Sequence, residues 1–202
     1  MTGLYALKPW YAARLRGITS VATARGWSPD AFTAAGVACA LVAAVAVAGG
    51  WWHVAALGLA GRLAGANLDG AVARSRDVER PWGFVVNELG DRAGDLLMFG
   101  GLALLAYRTS GATATLWVAA AATAATLPTF ASLAAAGAGV RRANGGPLGK
   151  TERCALVVLA TAVPVWTTPV AVVIVAGSLL TMALRLRTAQ RDLAQLSPSS
   201  PS

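Results

Sequence analysis

Long apolar stretches dominate the chain, and polar or helix-ending residues separate them. A membrane-spanning helix needs about 20 mostly apolar residues, because it rises about 1.5 Å per residue across a hydrocarbon layer of about 30 Å. Six stretches meet or approach that length. They are residues 29–49, 51–74, 83–107, 112–137, 154–166 and 170–186. The pattern therefore predicts an all-α integral membrane protein with six transmembrane helices.

The boundaries of these stretches carry helix signals. Ser28 suits an N-cap and Pro29 suits the first helical position. Pro164 and Pro169 separate the fifth stretch from the sixth and favour a tight turn. Three regions follow: a basic segment over 1–28, a six-helix membrane domain over 29–187, and a cytoplasmic, partly disordered tail over 188–202.

The basic segment has no long apolar run, but it combines arginines with Trp10, Tyr11 and Trp27. Amphipathic segments of this composition lie in the plane of a membrane surface. We therefore expect an N-terminal interfacial amphipathic segment on the inner leaflet.

The placement of basic residues predicts the orientation. With a cytoplasmic N-terminus and six crossings, fourteen basic residues lie inside and only Arg108 lies outside, which is a strong positive-inside bias. We therefore expect a protein of the cytoplasmic membrane with both termini inside. The inside residues are Lys8, Arg14, Arg16, Arg25, Arg74, Arg76, Arg80, Arg141, Arg142, Lys150, Arg153, Arg185, Arg187 and Arg191. The last three are interpreted as topological charges only.

Composition agrees with a membrane protein. Hydrophobic residues make up 56% of the chain and charged residues 13%, against about 25% charged in soluble domains. The net charge of +8 then indicates contact with anionic membrane lipids rather than with nucleic acid. His53 is the only histidine, so a histidine-based zinc site is excluded; beside Trp51 and Trp52 it is interpreted as an interfacial residue rather than a ligand.

Charged groups inside the predicted spans are costly, and they are functional candidates by default. In the third span, Asn87, Glu88, Asp91 and Asp95 share one arc of about 100° on a helical wheel. Glycines beside this arc allow another helix to approach closely.

In the second span, Asp69 lies on a face of small residues that also carries Arg62. Two helices with carboxylates on small-residue faces predict a shared polar cavity near the cytoplasmic side, and hard oxygen ligands suit Mg²⁺ or Mn²⁺. The alternative is an ion-paired helix hairpin, with Asp69 bound to Arg62 or Arg92.

The segment 69–91 reads DGAVARSRDVERPWGFVVNELGD. It resembles the signature of the CDP-alcohol phosphatidyltransferase family, D-x-x-D-G-x-x-A-R, eight residues, G-x-x-x-D-x-x-x-D. The matching residues are Asp69, Gly70, Ala73, Arg74, Gly83 and Asp91. Two positions depart from the signature, because Ala66 and Asn87 stand where it has acids. Six spans and an inside-facing motif also agree with the family.

The resemblance implies a transfer of a phosphatidyl-type group from a CDP-linked lipid, or another CDP-alcohol, to an alcohol acceptor, with release of CMP. Asp91 would be the catalytic base. The metal ligands would be Asp69, Asn87, Asp91 and the additional acid Glu88, and with two acids missing we expect one Mg²⁺ or Mn²⁺ rather than two. The substrate-binding residues would be Gly70, Ala73, Arg74 and Gly83.

The loop between the fourth and fifth spans, RRANGGPLGKTER, is cationic and rich in glycine. It is similar to a Gly-Lys-containing loop of the family, and Lys150 could bind a substrate phosphate. The alternative is that these charges serve only the positive-inside rule.

Three functions stay open at this point. The first is a membrane transferase of phospholipid biosynthesis. The second is a catalytically impaired member of the same fold that binds a CDP-lipid or a partner without turnover. The third, a small transporter, would predict inverted repeats, and the sequence has no visible repeat. Glycerol phosphate, inositol phosphate, serine and other alcohols all remain candidate acceptors. A homodimer is expected from the family resemblance.

Overall fold

The computed structural model describes residues 8–196, and over this range the chain contains helices and no strand. A short 3-10 turn at Pro164–Trp166 joins the last two helices. The helices are α1 (Lys8–Ala24), α2 (Pro29–Gly49), α3 (Trp52–Ser75), α4 (Pro81–Gly137), α5 (Lys150–Ala162) and α6 (Thr167–Leu196).

The ends of α2 follow the sequence signals. The helix begins at Pro29, and Ser28 occupies the N-cap with extended backbone angles, although its hydroxyl makes no capping hydrogen bond. Gly50 ends the helix in the left-handed region at φ 76°, where its N–H reaches the carbonyls of Ala46 and Val47. A residue with a Cβ is strained at that φ, so glycine provides the sharp exit into α3.

Helix α4 is interrupted at Gly111, which has φ 81° and ψ −171°. A continuous helix of 57 residues would be about 86 Å long, far more than a bilayer needs. Asp91 and Thr129, on either side of the break, line the same cavity. The two halves therefore fold back on each other, and the break lies between the predicted third and fourth spans.

Three helices are long and apolar enough to cross a membrane by length and composition: α2, α4 and the stretch Pro164–Gln195. Helix α3 carries Arg62 and Asp69 inside it, and both are buried. Helix α5 has 13 residues and spans only about 20 Å. The total of six spans therefore stays a prediction.

Two predicted boundaries differ from the structure. Helix α5 begins at Lys150, so this residue and Arg153 belong to a helix rather than to the loop before it. Helix α6 continues to Leu196, past the end of the sixth predicted stretch at residue 186, because no helix-breaking residue follows until Pro198. Residues 1–7 and 197–202 lie outside the described residues, and with them lies the end of the tail that is predicted to be partly disordered.

Small residues bring α2, α3 and α4 into close contact, as the glycine pattern predicts. A Cβ at Gly65 of α3 would lie 2.6 Å from the Phe32 carbonyl oxygen and 2.7 Å from the Cα of Gly36, both on α2. A Cβ at Gly101 of α4 would collide with the Ala44 carbonyl oxygen. These contacts hold the polar faces of α3 and α4 against α2.

Gly65→Ala is expected to lower the free energy of unfolding by about 1–3 kcal/mol, because backbone atoms of α2 cannot move aside as a flexible side chain would. Gly100→Ala is the matched control, since nothing lies within 4 Å of a Cβ there. Denaturation of both variants in mixed micelles measures the difference. Equal stability of the two variants would contradict close packing at Gly65.

Candidate active site

A cavity of 740 Å³ opens between the start of α2, the end of α3 and the start of α4. Its volume is in the range of small-molecule sites, about 300–1,000 Å³. The structure brings to this one cavity seven of the residues selected from the sequence. They are Asp69, Gly70, Ala73, Arg74, Gly83, Asn87 and Glu88.

The carboxylate of Asp69 is buried and held by three hydrogen bonds. Its Oδ2 accepts from the Thr33 hydroxyl at 2.8 Å and from the Asn87 side-chain amide at 2.6 Å. Its Oδ1 accepts from the backbone N–H of Gly70 at 2.5 Å. Three helices thus fix this carboxylate, since Thr33 belongs to α2, Asp69 to α3 and Asn87 to α4.

Gly70 also leaves room for the side chain of Arg74. A Cβ at this position would lie 3.1 Å from the nearer guanidinium nitrogen of Arg74. The glycine therefore lets the Arg74 guanidinium lie against the α3 backbone at the cavity wall.

Asp91 belongs to a second cavity of 450 Å³, where it is paired with Lys150. The Lys150 ammonium donates to Oδ1 and Oδ2 of Asp91, each at 2.6 Å. Five basic residues line this cavity against three acidic ones, so it is net cationic. The basic residues are Arg92, Arg142, Lys150, Arg153 and Arg185.

A thin wall separates the two cavities. Ala66, Asn67, Glu88 and Arg142 line both of them. Within this wall, Arg142 donates to Oε1 of Glu88 at 2.6 Å. Glu88 is therefore engaged by an arginine between the cavities.

The buried arginines do not neutralise Asp69, as the ion-paired alternative expected, but converge on Asp95. Arg62 contacts Oδ1 of Asp95 at 2.7 Å, and both Arg92 and Arg153 contact Oδ2 at 3.0 Å. Arg62 also donates to the Asp91 carbonyl oxygen at 3.0 Å. This cluster ties α3, α4 and α5 together directly beneath the candidate site.

The donor set does not fit a pair of divalent cations. Both oxygens of Asp91 face Lys150, and no group of three or more His, Cys, Asp or Glu side chains in the described part of the chain could hold a metal ion. Asp69, Asn87 and Asp91 share a small cavity of about 10 Å³, also lined by Ala66 and Arg62. That space is on the order of a single water-sized sphere. Asp69, Asn87 and Asp91 thus lie around one small space, which Glu88 does not line.

Sequence reasoning missed Thr33, and it assigned Arg185 to topology alone. Thr33 precedes the motif by 36 residues, and nothing in the local pattern connects it to Asp69. Arg185 lines the second cavity, where it donates to the carbonyl oxygens of Gly145 and Pro128. The sequence showed Arg185 only as a basic residue on an apolar helix. The positive-inside rule explains such a residue without any role in a site.

Comparison with known proteins identifies the class. Residues 27–190 match the family model of CDP-alcohol phosphatidyltransferases, so the chain belongs to this family. The family membership and the three apolar helices together indicate an integral membrane protein. No curated protein matches the sequence.

Solved structures of phosphatidylinositol phosphate synthase from Mycobacterium tuberculosis have a similar fold. The structure with bound CDP-DAG has a TM-score of 0.76 and 20% identity, and the match covers 92% of this chain and 98% of that chain. The structure with manganese and citrate has a TM-score of 0.75 and 20% identity, covering 91% and 92%. At this identity the likeness concerns the fold.

Proposed function

We propose that this protein is a membrane transferase that moves a phosphatidyl-type group from a CDP-linked lipid to an alcohol acceptor and releases CMP. The observation that carries the proposal is the pair of adjoining cavities, with the motif residues around Asp69 in one and Asp91 in the other. A transfer reaction needs two substrates side by side, and one thin wall separates these cavities.

The first cavity suits the CDP-linked donor. Gly70, Ala73 and Gly83 present little side-chain volume, and Arg74 offers a cation to the diphosphate. Arg76 and Arg80 also line the cavity, so its rim is basic where a polyanionic group would enter. Apolar chains of the lipid would stay in the bilayer beside α2 and α4.

The second cavity suits an acceptor that itself carries a phosphate. Its excess of basic residues is larger than a neutral alcohol requires. Lys150 and Arg153 line it from α5, and Arg185 lines it from α6. Glycerol phosphate and inositol phosphate are therefore favoured over serine, and the solved protein of similar fold is named a phosphatidylinositol phosphate synthase.

The reaction step follows from these positions. Asp91 takes the proton of the acceptor hydroxyl, whose oxygen attacks the phosphorus that bears the lipid alcohol. A bond forms between that oxygen and phosphorus, while the bond from phosphorus to the CMP oxygen breaks with its electron pair. Attacking and leaving oxygens lie roughly in line, and Arg74 stabilises the charge that develops on CMP.

The metal, the orientation and the assembly also belong to this proposal. One Mg²⁺ or Mn²⁺ held by Asp69 together with substrate phosphates would neutralise diphosphate charge, since such ions often use one or two carboxylates plus phosphate oxygens. The positive-inside bias supports a cytoplasmic site and cytoplasmic termini in the inner membrane. Six spans and a homodimer complete the proposed arrangement.

A catalytically impaired member of the family is the second candidate. It is favoured by Ala66 and Asn87 at two acidic positions of the signature, and by the Lys150 ammonium on both oxygens of Asp91. Such a protein would bind the CDP-lipid in the first cavity without turnover.

CMP release by the purified full-length chain in lipid micelles separates the two candidates. CDP-diacylglycerol is supplied with Mg²⁺ or Mn²⁺ and with glycerol phosphate, inositol phosphate, glycerol, inositol or serine. We expect a phosphorylated acceptor to exceed its unphosphorylated counterpart about tenfold or more in kcat/KM, as charge-assisted hydrogen bonds of about 1.5–3 kcal/mol imply. CDP-lipid binding without CMP release for any acceptor would support the impaired candidate.

A further inference from the structure

The Lys150 ammonium occupies the side of the site where a second cation would have to bind Asp91. We propose that Lys150 is a built-in cation for this carboxylate, so that Asp91 holds no divalent ion in this protein. The inference rests on the proposed function only in treating Asp91 as part of a transferase active site. The cation arrangement itself can be measured without any substrate.

The first support is the geometry of the pair. The Lys150 ammonium lies 2.6 Å from each carboxylate oxygen of Asp91. It therefore occupies the position between the two oxygens where a metal ion would bind both of them. The two side chains are only 26% and 15% exposed, which limits screening by water. A metal ion at this edge would have to displace the ammonium from both oxygens.

The second support is the fixed position of Lys150 in the fold. It is the first residue of α5, and Oε2 of Glu152 accepts the backbone N–H of Gly149 at 3.0 Å, which anchors the start of the helix. The ammonium is a compact point charge, unlike the planar guanidinium. Only two of the 17 basic residues are lysines, Lys8 and Lys150.

The third support is the charge around Asp91. Arg62 from α3 donates to the Asp91 carbonyl oxygen at 3.0 Å and also lines the small cavity beside the carboxylate. Cations therefore face this residue from α3 and from α5. Arg62 is itself paired with Asp95, but Lys150 directly contacts Asp91, and Asp69 is the one other carboxylate among the described residues that line the small cavity, since Ala66 and Asn87 supply none.

The fourth support is the hydrogen bonding of the neighbouring carboxylate, Asp69. Asn87 donates its amide N–H to Asp69, where the signature has an acid that would repel that oxygen. Asp69 and Asp91 are thus each matched by protein donors, from Asn87 and Lys150. The loss of acids at two positions and the ammonium on Asp91 form one consistent charge arrangement.

Mn²⁺ titration of the purified full-length chain, followed by electron paramagnetic resonance without substrate, tests the proposal. Asp91→Asn in the otherwise unchanged chain is expected to leave Mn²⁺ affinity unaltered, because Asp91 is not a ligand. Lys150→Met is expected to bind Mn²⁺ at least about tenfold more tightly, and adding Asp91→Asn to it should remove the gain. This tenfold threshold corresponds to about 1.4 kcal/mol.

Two controls separate charge from other effects. Lys150→Arg keeps a cation and should not gain the Mn²⁺ affinity expected of Lys150→Met. Arg80→Met removes the exposed partner of Asp30, which does not line the cavity of Asp91 and Lys150, and should leave the Mn²⁺ affinity unaltered. Thermal unfolding of each variant verifies that it is folded, and the Asp91→Asn arm does not depend on any Lys150 variant.

Two results would overturn the proposal. One is a tenfold weaker Mn²⁺ affinity in Asp91→Asn, which would make Asp91 a ligand. The other is a Lys150→Met variant that binds Mn²⁺ no more tightly than the unchanged chain. Neither result bears on CMP release, so a failure here and a failure of the transferase assay are distinguishable.

Discussion

Asp91→Asn lowers the kcat for CMP release by about 10²–10⁴-fold, the usual contribution of a positioned general base. The amide of Asn cannot accept the proton of the acceptor hydroxyl, although it is almost the same size as the carboxylate. Asp91 lines the 450 Å³ cavity and not the 740 Å³ cavity that we propose for the CDP-lipid, so the KM for the CDP-lipid should change little. Steady-state kinetics with CDP-diacylglycerol and the best acceptor measures both quantities.

Asp30→Asn is the matched control for this substitution. Asp30 lines the 740 Å³ cavity and pairs with Arg80, but both side chains are largely exposed. Exposed pairs contribute at most about 1 kcal/mol, so the rate should change by about fivefold at most. An Asp91→Asn protein that stays folded and keeps full kcat would remove Asp91 from the role of base.

Asp95→Asn lowers the free energy of unfolding by about 3–5 kcal/mol, which is typical when one partner of a buried ion cluster is removed. Asp95 is 3% exposed and its carboxylate neutralises guanidinium groups from three helices. The Nε atoms of Arg62 and Arg153 are buried and have no hydrogen-bond partner among the described residues. Removing the carboxylate would leave these cations without compensation.

Denaturation in mixed micelles checks this value, with Arg80→Ala as the control. That substitution breaks the exposed pair with Asp30 and is expected to cost less than about 1 kcal/mol. Similar losses for the two variants would show that the cluster at Asp95 is no more stabilising than a surface pair.

The main helical pattern was predictable because membrane helices are defined by local composition. The apolar stretch over 29–49 is observed as α2, and the gap between 107 and 112 contains the break at Gly111. Helix ends were less predictable where several signals were weak. Lys150 looked like part of a glycine-rich loop, but Glu152 anchors Gly149 and the helix begins there.

The motif residues were also predictable from local information, because their spacing along α3 and α4 shows which of them share a helix face. Periodicity along α3 and α4 set Asp69, Asn87 and Asp91 on polar faces, and the structure brings all three to one small cavity. The partners of these residues were not predictable. Thr33 reaches Asp69 from α2, and Lys150 reaches Asp91 from α5, 59 residues away.

The sequence by itself therefore determined the family, the apolar helices and the polar faces, because spacing along one helix fixes which side chains share a face. Only the tertiary structure decided how the charges are paired. Arg62 lies near Asp69 on the wheel of α3, yet it binds Asp95 of α4. Pairing between helices depends on their packing distance, which glycine contacts such as Gly65 against Gly36 set, and no pattern within a single helix contains that distance.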